Sequence, residues 1–459
     1  MSSGNSGSSG KDPMGIKQSK ARLSATFRTA RLVAVVFGSI VFVLAVILTL
    51  ISVLIFKANT LMAFAGSFTV LCVTLFAFVP TKILWKMNYA MCLQEQGLWA
   101  ESDELVFADI AQPLALILSG RTPDGDLQEL EPKLSQVLIT YIRTGEVRSA
   151  IKIAEFLHRN AEGNPYHFNT LSALYCESGR YDEGISIARN SLALLQTEGR
   201  TASPAAISAC IGLAAAYVGL RDVREAHRYL TQLKDYIDAS NLESSGGKNA
   251  DRTDQLVRME VGKHELDLAF YNYYLGRLKY IEGSPESEAH VNIALEVMKD
   301  DSNQRLLSLF YPELNITLAD IYVARAGEDN LQRLDNLQKA LAYCEIARQY
   351  YKERTRYVGP DYQRCVSMQS WLHMKLGTAY DTGDIEKALE TLRGQVEEKS
   401  PYVSNCLVLL AECLMQKGEH GKARGHLEGA LATRKALYKE GDALIAEVEG
   451  MLANCPVAV

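Results

Sequence analysis

The sequence predicts an all-α chain in two parts, a transmembrane helical hairpin and an α-solenoid of helix–turn–helix repeats. Three observations carry that prediction. Two long uncharged runs, Leu32–Phe56 and Leu61–Val79, lie close together. Beyond them a pattern of tyrosine, glycine and small residues is written about Gly145 and again about Gly179, 34 residues on. No stretch reads as a strand, either as alternation or as a β-branched run bounded by turn residues.

Residues 1–31 come first. The Ser/Gly-rich residues 1–13 bury nothing and are expected to be disordered, and Lys11, Lys17, Lys20, Arg22, Arg28 and Arg31 make the rest of this tail basic. The run from Leu32 to Phe56, as a helix rising about 1.5 Å per residue, would extend about 37 Å, more than the ~30 Å hydrocarbon core of a bilayer. The run from Leu61 to Val79 would extend about 28 Å. Pro80 stops it, because proline has no N–H and disfavours helix in the residue before it. A cleaved signal peptide does not fit a run this long with a second one directly behind it. Lys57 alone is charged in the intervening loop, whereas Lys82 and Lys86 follow the second span. The positive-inside rule therefore places both ends in the cytoplasm, with Trp85 and Tyr89 as interfacial anchors. Residues 32–80 read as a two-span anchor in the bilayer. Neither span holds an ionisable side chain, so a transporter or proton relay is not indicated.

Residues 81–128 are expected to continue as a helical connector, with Arg121–Asp126 as a turn. The repeats follow. Aligned on Gly145 and Gly179, Tyr141 matches Tyr175, Ala150 matches Gly184 and Ala154 matches Ala188. A glycine permits the turn, and small residues let the second helix approach the first. Asp182 and Glu183 suit the positive end of a helix dipole. Further copies occur at Gly212–Ala226, Leu275–Ala289, Leu318–Ala347, Leu376–Leu389 and Leu410–Leu431. The fifth holds an insertion in its turn, and the sixth, read with Gly383 as its turn glycine, is one residue short. The polar stretch Ala239–Asp254 has no apolar period. It is expected to be a flexible loop (239–255) between a first block at 129–238 and a second at 256–459.

This pattern resembles the tetratricopeptide repeat (TPR), a 34-residue helix–turn–helix unit. The ends Ala347–Tyr362 and Ala432–Asp442 look like the longer repeats of the kinesin-light-chain type. The resemblance implies a TPR-like α-solenoid with a concave groove lined by the first helix of each unit. Carried over by alignment, the groove would include Tyr166, Asn169, Glu177, Asp320, Trp371, Met374, Asp381 and Glu412, with Ala173, Ile316, Val408 and Met415 among them. Ser135, Ile139 and Ala173 stand where a carboxylate clamp would need cations, so a chaperone-tail clamp is not implied. The acids in the set point to a neutral or basic peptide.

The search for reactive chemistry is negative at the level of motifs. There is no HExxH, GxxxxGK[ST], GxSxG or Rossmann GxGxxG sequence. His420 and His426 fall on different helix faces, and nine dispersed cysteines without a CxxC read as buried thiols. The aromatic stripe at Phe270–Tyr280 reads as core packing in preference to a ligand box. A net charge of −6 gives no reason to expect nucleic-acid binding. No catalytic residue, cofactor or metal is expected. The reading is a membrane-anchored TPR scaffold that recruits or organises a protein partner at the cytoplasmic face. The alternatives are a self-associating organiser of a membrane complex and a non-catalytic regulatory subunit.

Overall fold

The chain divides into two units, Met1–Asp109 and Ile110–Val459. The computed structural model describes Phe107 and residues 110–123, 127–160, 164–246, 263–299, 309–326, 330–355 and 357–456. The predicted tail at 1–31, the membrane hairpin at 32–80 and the connector up to 106 lie outside the described residues. So does 247–255 of the predicted loop. Among the described residues no helix is long and apolar enough to cross a membrane.

The described residues are helical and contain no strand. A short helix α1 (Ala111–Leu118) precedes seven helix pairs. These are α2 (Leu127–Thr144) with α3 (Val147–Asn160), α4 (Pro165–Ser178) with α5 (Tyr181–Thr197), and α6 (Pro204–Gly219) with α7 (Val223–Gly246). Next come α8 (Lys263–Ile281) with α9 (Ser287–Val297) and α10 (Phe310–Ala324) with α11 (Asn330–Tyr350). The last pairs are α12 (Pro360–Lys375) with α13 (Thr382–Gln395) and α14 (Pro401–Gln416) with α15 (His420–Leu437), followed by α16 (Ala443–Asn454). One π-helical turn, Tyr351–Thr355, extends α11. Each helix packs on its hairpin partner, and each hairpin packs on the next.

Local chemistry sets the starts of these helices. Four first helices begin with proline directly after the N-cap, at Asn164-Pro165, Ser203-Pro204, Gly359-Pro360 and Ser400-Pro401. Proline suits this position because its missing N–H would be unpaired there anyway. The side chains of Asn164, Ser203 and Ser400 accept hydrogen bonds from the backbone N–H of Tyr166, Ala206 and Val403. Inside the hairpins, Ala150, Ala154 and Ala188 are buried, as the repeat pattern predicts. A Cβ on Gly184 would stand 2.6 Å from Cys176 Sγ, so glycine is what lets α5 approach α4.

Two sequence readings shift. The turn of the sixth hairpin is made by Gly377, in the left-handed region at φ +70°, and α12 ends at Lys375. Gly383 lies inside α13, so the predicted turn position was displaced along the chain. Helix α7 also runs on to Gly246, into the stretch read as loop. The 34-residue spacing is not maintained: from Gly179 the next turn, at Arg221, is 42 residues on. The reason is length in the second helices and connections, with 17 residues in α5 and a further six before α6.

The array also closes on itself. The turns of the first three hairpins meet the connections that follow the fifth, sixth and seventh. Val358 N–H donates to Thr144 O at 3.2 Å, and Glu397 N–H donates to Ser178 O at 3.0 Å. Arg148 donates to the carbonyls of Arg393 and Val396 at 3.0 and 3.1 Å. At the third rung Arg221 pairs with Asp442 at 2.9 Å and Lys439 with Asp222 at 2.7 Å. Gly145 faces Gly359 so closely that a Cβ would lie 2.3 Å from the Gly359 Cα.

Candidate functional site

Closure brings the first helices of five hairpins together around one polar interior. Glu177 stands at the end of α4, and its Oε1 accepts a hydrogen bond of 3.2 Å from the Tyr357 hydroxyl, in the connection after α11. Asp361, in the first turn of α12, accepts 3.0 Å from the Tyr402 hydroxyl of α14. Glu313, in the first turn of α10, accepts 2.5 Å from the Tyr273 hydroxyl of α8 and lies 3.8 Å from Arg277. Arg364 of α12 pairs with Asp320 of α10. These side chains are not packed as a dry core. Arg277 and Glu313 keep 32% and 29% of their surface, and Arg364 and Asp320 keep 22% and 21%. Water therefore reaches the interior.

The carboxyls feel their confinement. Burial pushes Glu177 up to about 8; the charges of Asp361 and Glu313 add to the rise, and the Tyr357 hydrogen bond opposes it. Burial likewise raises Asp361, with Asp320 adding to it, against Arg364, Tyr402 and Arg277. Burial raises Glu313 as well, with Asp361 adding to it, while Arg277, Tyr273 and Arg364 act the other way. A helix N-terminus would favour the charged forms of Asp361 and Glu313. Desolvation outweighs that here, because removing a carboxylate from water is the larger effect. One more polar group lies near these side chains. Tyr351 is fully buried, and its hydroxyl has no hydrogen-bond partner. Its ring lies 4.9 Å from that of Tyr357, and Asp361 and Glu313 both act on it.

The eight sequence-predicted groove residues separate into groups. Glu177 and Asp320 belong to the interior just described. Trp371 and Glu412 meet, with the indole N–H donating to Glu412 Oε2 at 3.0 Å. Lys375 pairs with the same carboxylate and lies 5.1 Å from the indole ring centroid. Met374 packs half-buried against the core of the second block. A shallow cavity of about 440 Å³ adjoins this group, lined by Glu412, Met415, Glu447, Gly450, Met451 and Asn454. The other three stand apart. Tyr166 is exposed in the first turn of α4. Asn169 is buried and ties two hairpins together, donating to Ala205 O at 2.9 Å and accepting from Ser191 at 3.1 Å. Asp381 caps α13, accepting from Gly383 N–H at 2.8 Å, because α12 ends six residues before it. Ile316 and Val408 are buried in the core.

Sequence reading missed Tyr273, Arg277, Glu313, Tyr357, Asp361, Arg364 and Tyr402. A signal for three of them was present. Glu313, Asp361 and Tyr402 each directly follow a proline near a helix start, at Pro312, Pro360 and Pro401. That position points into the interior at the fifth, sixth and seventh hairpins.

For chemistry, the interior offers carboxyls, phenols and two guanidiniums. Among the described residues no three His, Cys, Asp or Glu side chains group as a metal site would need. The described cysteines are free, six of them buried, and burial raises the Cys176 thiol to about 12. The predicted aromatic stripe divides, with Phe270 stacked on Phe310 at 4.3 Å and Tyr273 turning its hydroxyl to Glu313. A scan against protein-family models returns no match for this chain, and neither does a comparison with curated proteins.

Proposed function

We propose that this chain is a membrane-tethered TPR adaptor, which recruits or organises a protein partner at the cytoplasmic face of a membrane. The supporting observation is the series of packed hairpins whose first helices present charged and aromatic side chains to a common space. An array of this kind gains binding surface with each added unit and needs no reactive group. In this reading the uncharged runs Leu32–Phe56 and Leu61–Val79 supply the tether, and confinement beside the membrane raises the effective concentration of whatever is bound. The Trp371, Lys375 and Glu412 group, with Met374 and Met415 beside it, is the second candidate contact after the interior. It offers an indole, a cation and flexible thioethers, the composition of an anchor patch.

The test uses the full chain in its membrane. Crosslinked partners are compared between the wild type and a Trp371→Ala, Met374→Ala double variant that reaches the membrane at equal level. Loss of one defined protein from the crosslinked set supports the adaptor reading at this patch. An identical set removes the patch from it. Alkaline extraction that releases the full chain from membranes would remove the tether.

A further inference from the structure

We infer that the seam of the array is a latch, which opens as one unit while each hairpin keeps its own core. The opening stands without the adaptor reading. Only its consequence rests on that reading: Glu177 and Asp320, two residues expected in the groove, face the space that the seam confines, so opening governs access to them.

The three rungs of the seam follow one plan. At each, the turn of an early hairpin lies against the N-cap of a later helix. Gly145 meets Gly359, the N-cap of α12. Gly179 meets Ser400, the N-cap of α14, where a Cβ on Gly179 would stand 2.9 Å from Ser400 Cβ. Arg221 meets Asp442, the N-cap of α16. The links are polar, and most use the backbone. Thr144 O and Ser178 O accept from the amides of Val358 and Glu397, and Arg143 donates to Thr355 O at 3.4 Å. The third rung holds by ion pairs, Arg221 with Asp442 and Lys439 with Asp222.

Apolar packing does not follow these links. One core cluster runs through α10–α16, from Ile316 to Cys455, and another through α5–α8, from Ile185 to Leu278. They share no residue, and no partly buried apolar side chain packed on one is packed on the other. Among the described residues, no helix of the first three hairpins packs along a helix of the last three. The array is held in series by its cores and closed across the seam by polar contacts.

The two kinds of contact differ in what parting them costs. A hydrogen bond or ion pair opened to water is replaced by hydration, so its net contribution is small. Separating two hairpins would instead open an apolar core. The face uncovered at the seam carries Glu177, Glu313, Asp320 and Asp361, which water solvates. The fourth hairpin, α8 with α9, takes part in none of the rungs and joins the two sides, which separate by small adjustments between packed hairpins. Because the cores hold successive hairpins in register, a loss at one rung loosens the other two.

Hydrogen exchange on the full chain in detergent reads the latch at two amides, Val358 at the first rung and Glu397 at the second. Corrected for intrinsic rates, both should exchange together, about a hundredfold faster than the Leu410 amide inside α14. The perturbation is placed at the third rung. Lys439 pairs with Asp222 and its side chain is 77% exposed, so Lys439→Glu turns that attraction into repulsion without touching a core. It should speed exchange at Val358 and Glu397 by one common factor, about fivefold. Lys435→Glu is the control, because Lys435 pairs with Glu449 on the same side of the seam; it should leave both amides unchanged. Hydroxyl-radical footprinting of Tyr357, 2% exposed when the seam is closed, should rise in Lys439→Glu alone. The inference is overturned if the wild-type Val358 and Glu397 amides exchange as slowly as Leu410. It is overturned equally if Lys439→Glu leaves them unchanged, which would make the rungs independent, or if Lys435→Glu has the same effect. No partner protein enters the experiment, so failure of the adaptor reading would leave these outcomes as they are.

Discussion

Gly145 and Gly418 share a φ of +80° at equivalent turns, and replacing each with alanine isolates what closure of the array is worth. Both substitutions place a Cβ in the left-handed region, at a cost of about 1 kcal/mol. At Gly418 nothing lies within 4 Å of the new atom, so the cost ends there. At Gly145 the new atom stands 2.3 Å from backbone atoms of Gly359, which are held in place by Pro360 and helix α12. No flexible side chain can yield, so the two segments must part. Parting them breaks Val358 N–H to Thr144 O and Arg143 to Thr355 O. At about 0.5–1.5 kcal/mol for each hydrogen bond, with packing lost around them, Gly145→Ala exceeds Gly418→Ala by about 2 kcal/mol. Long repeat arrays need not unfold in one step, so a single melting temperature is a poor readout. Hydrogen exchange at the Val358 amide reads the seam directly. A change of about 2 kcal/mol is roughly a thirtyfold loss of protection there, and Gly418→Ala should leave that amide unchanged. Equal effects of the two substitutions on Val358 would refute the closure argument.

Three further outcomes are expected. Arg221 stands in the left-handed region at φ 56° and holds Asp442, so Arg221→Gly trades the pair for backbone relief and stays near neutral. Arg221→Ala loses the pair without that relief and should be about 1 kcal/mol less stable than the glycine variant in denaturant titration. Asn169→Ala removes the buried link to Ala205 O and Ser191 and should cost about 2–3 kcal/mol, visible as faster exchange in α4 and α6. Glu177 has its carboxyl raised on folding to about 8, so its contribution is complete below about pH 4.5 and is lost as pH rises toward 8. Glu177→Gln should therefore gain on the wild type between pH 5 and 8, by about 1–2 kcal/mol once water in the interior is allowed for. A constant difference across that range would show that Glu177 stays ionised.

All seven hairpins were legible in the sequence because each is a local statement. Tyr175, Gly179 and Ala188 lie within one helical hairpin, and their spacing is fixed by helix geometry. The sixth turn was misplaced because Gly377 and Gly383 both fit a degenerate pattern. Only the capture of Thr378 N–H by His373 O, one turn back, shows which glycine ends the helix. Asp381, expected in the groove, is the N-cap of α13. Asn169 is expected in the groove from its position on a first helix, but its amide is consumed in joining α4 to α5 and α6. The interior itself was not legible. Glu177 and Tyr357 are separated by 180 residues, and nothing in a local pattern says that they meet.

What brings such distant residues together is the seam, and the seam explains why the interior is polar. In an open solenoid the first helices face bulk water, where Glu177, Glu313 and Asp361 would ionise freely. Once the turns of the first three hairpins lie against the connections after the fifth, sixth and seventh, that shared face becomes confined. Its charged groups cannot be exchanged for apolar packing, since water still reaches Arg277 and Glu313. Tyrosines resolve the conflict. Tyr273, Tyr357 and Tyr402 fill volume with their rings and satisfy a carboxyl with each hydroxyl. Tyr351 fills volume in the same way and has no acceptor. Closure and the open hydroxyl are therefore linked. A Gly145→Ala chain whose seam has parted would give Tyr351 access to water.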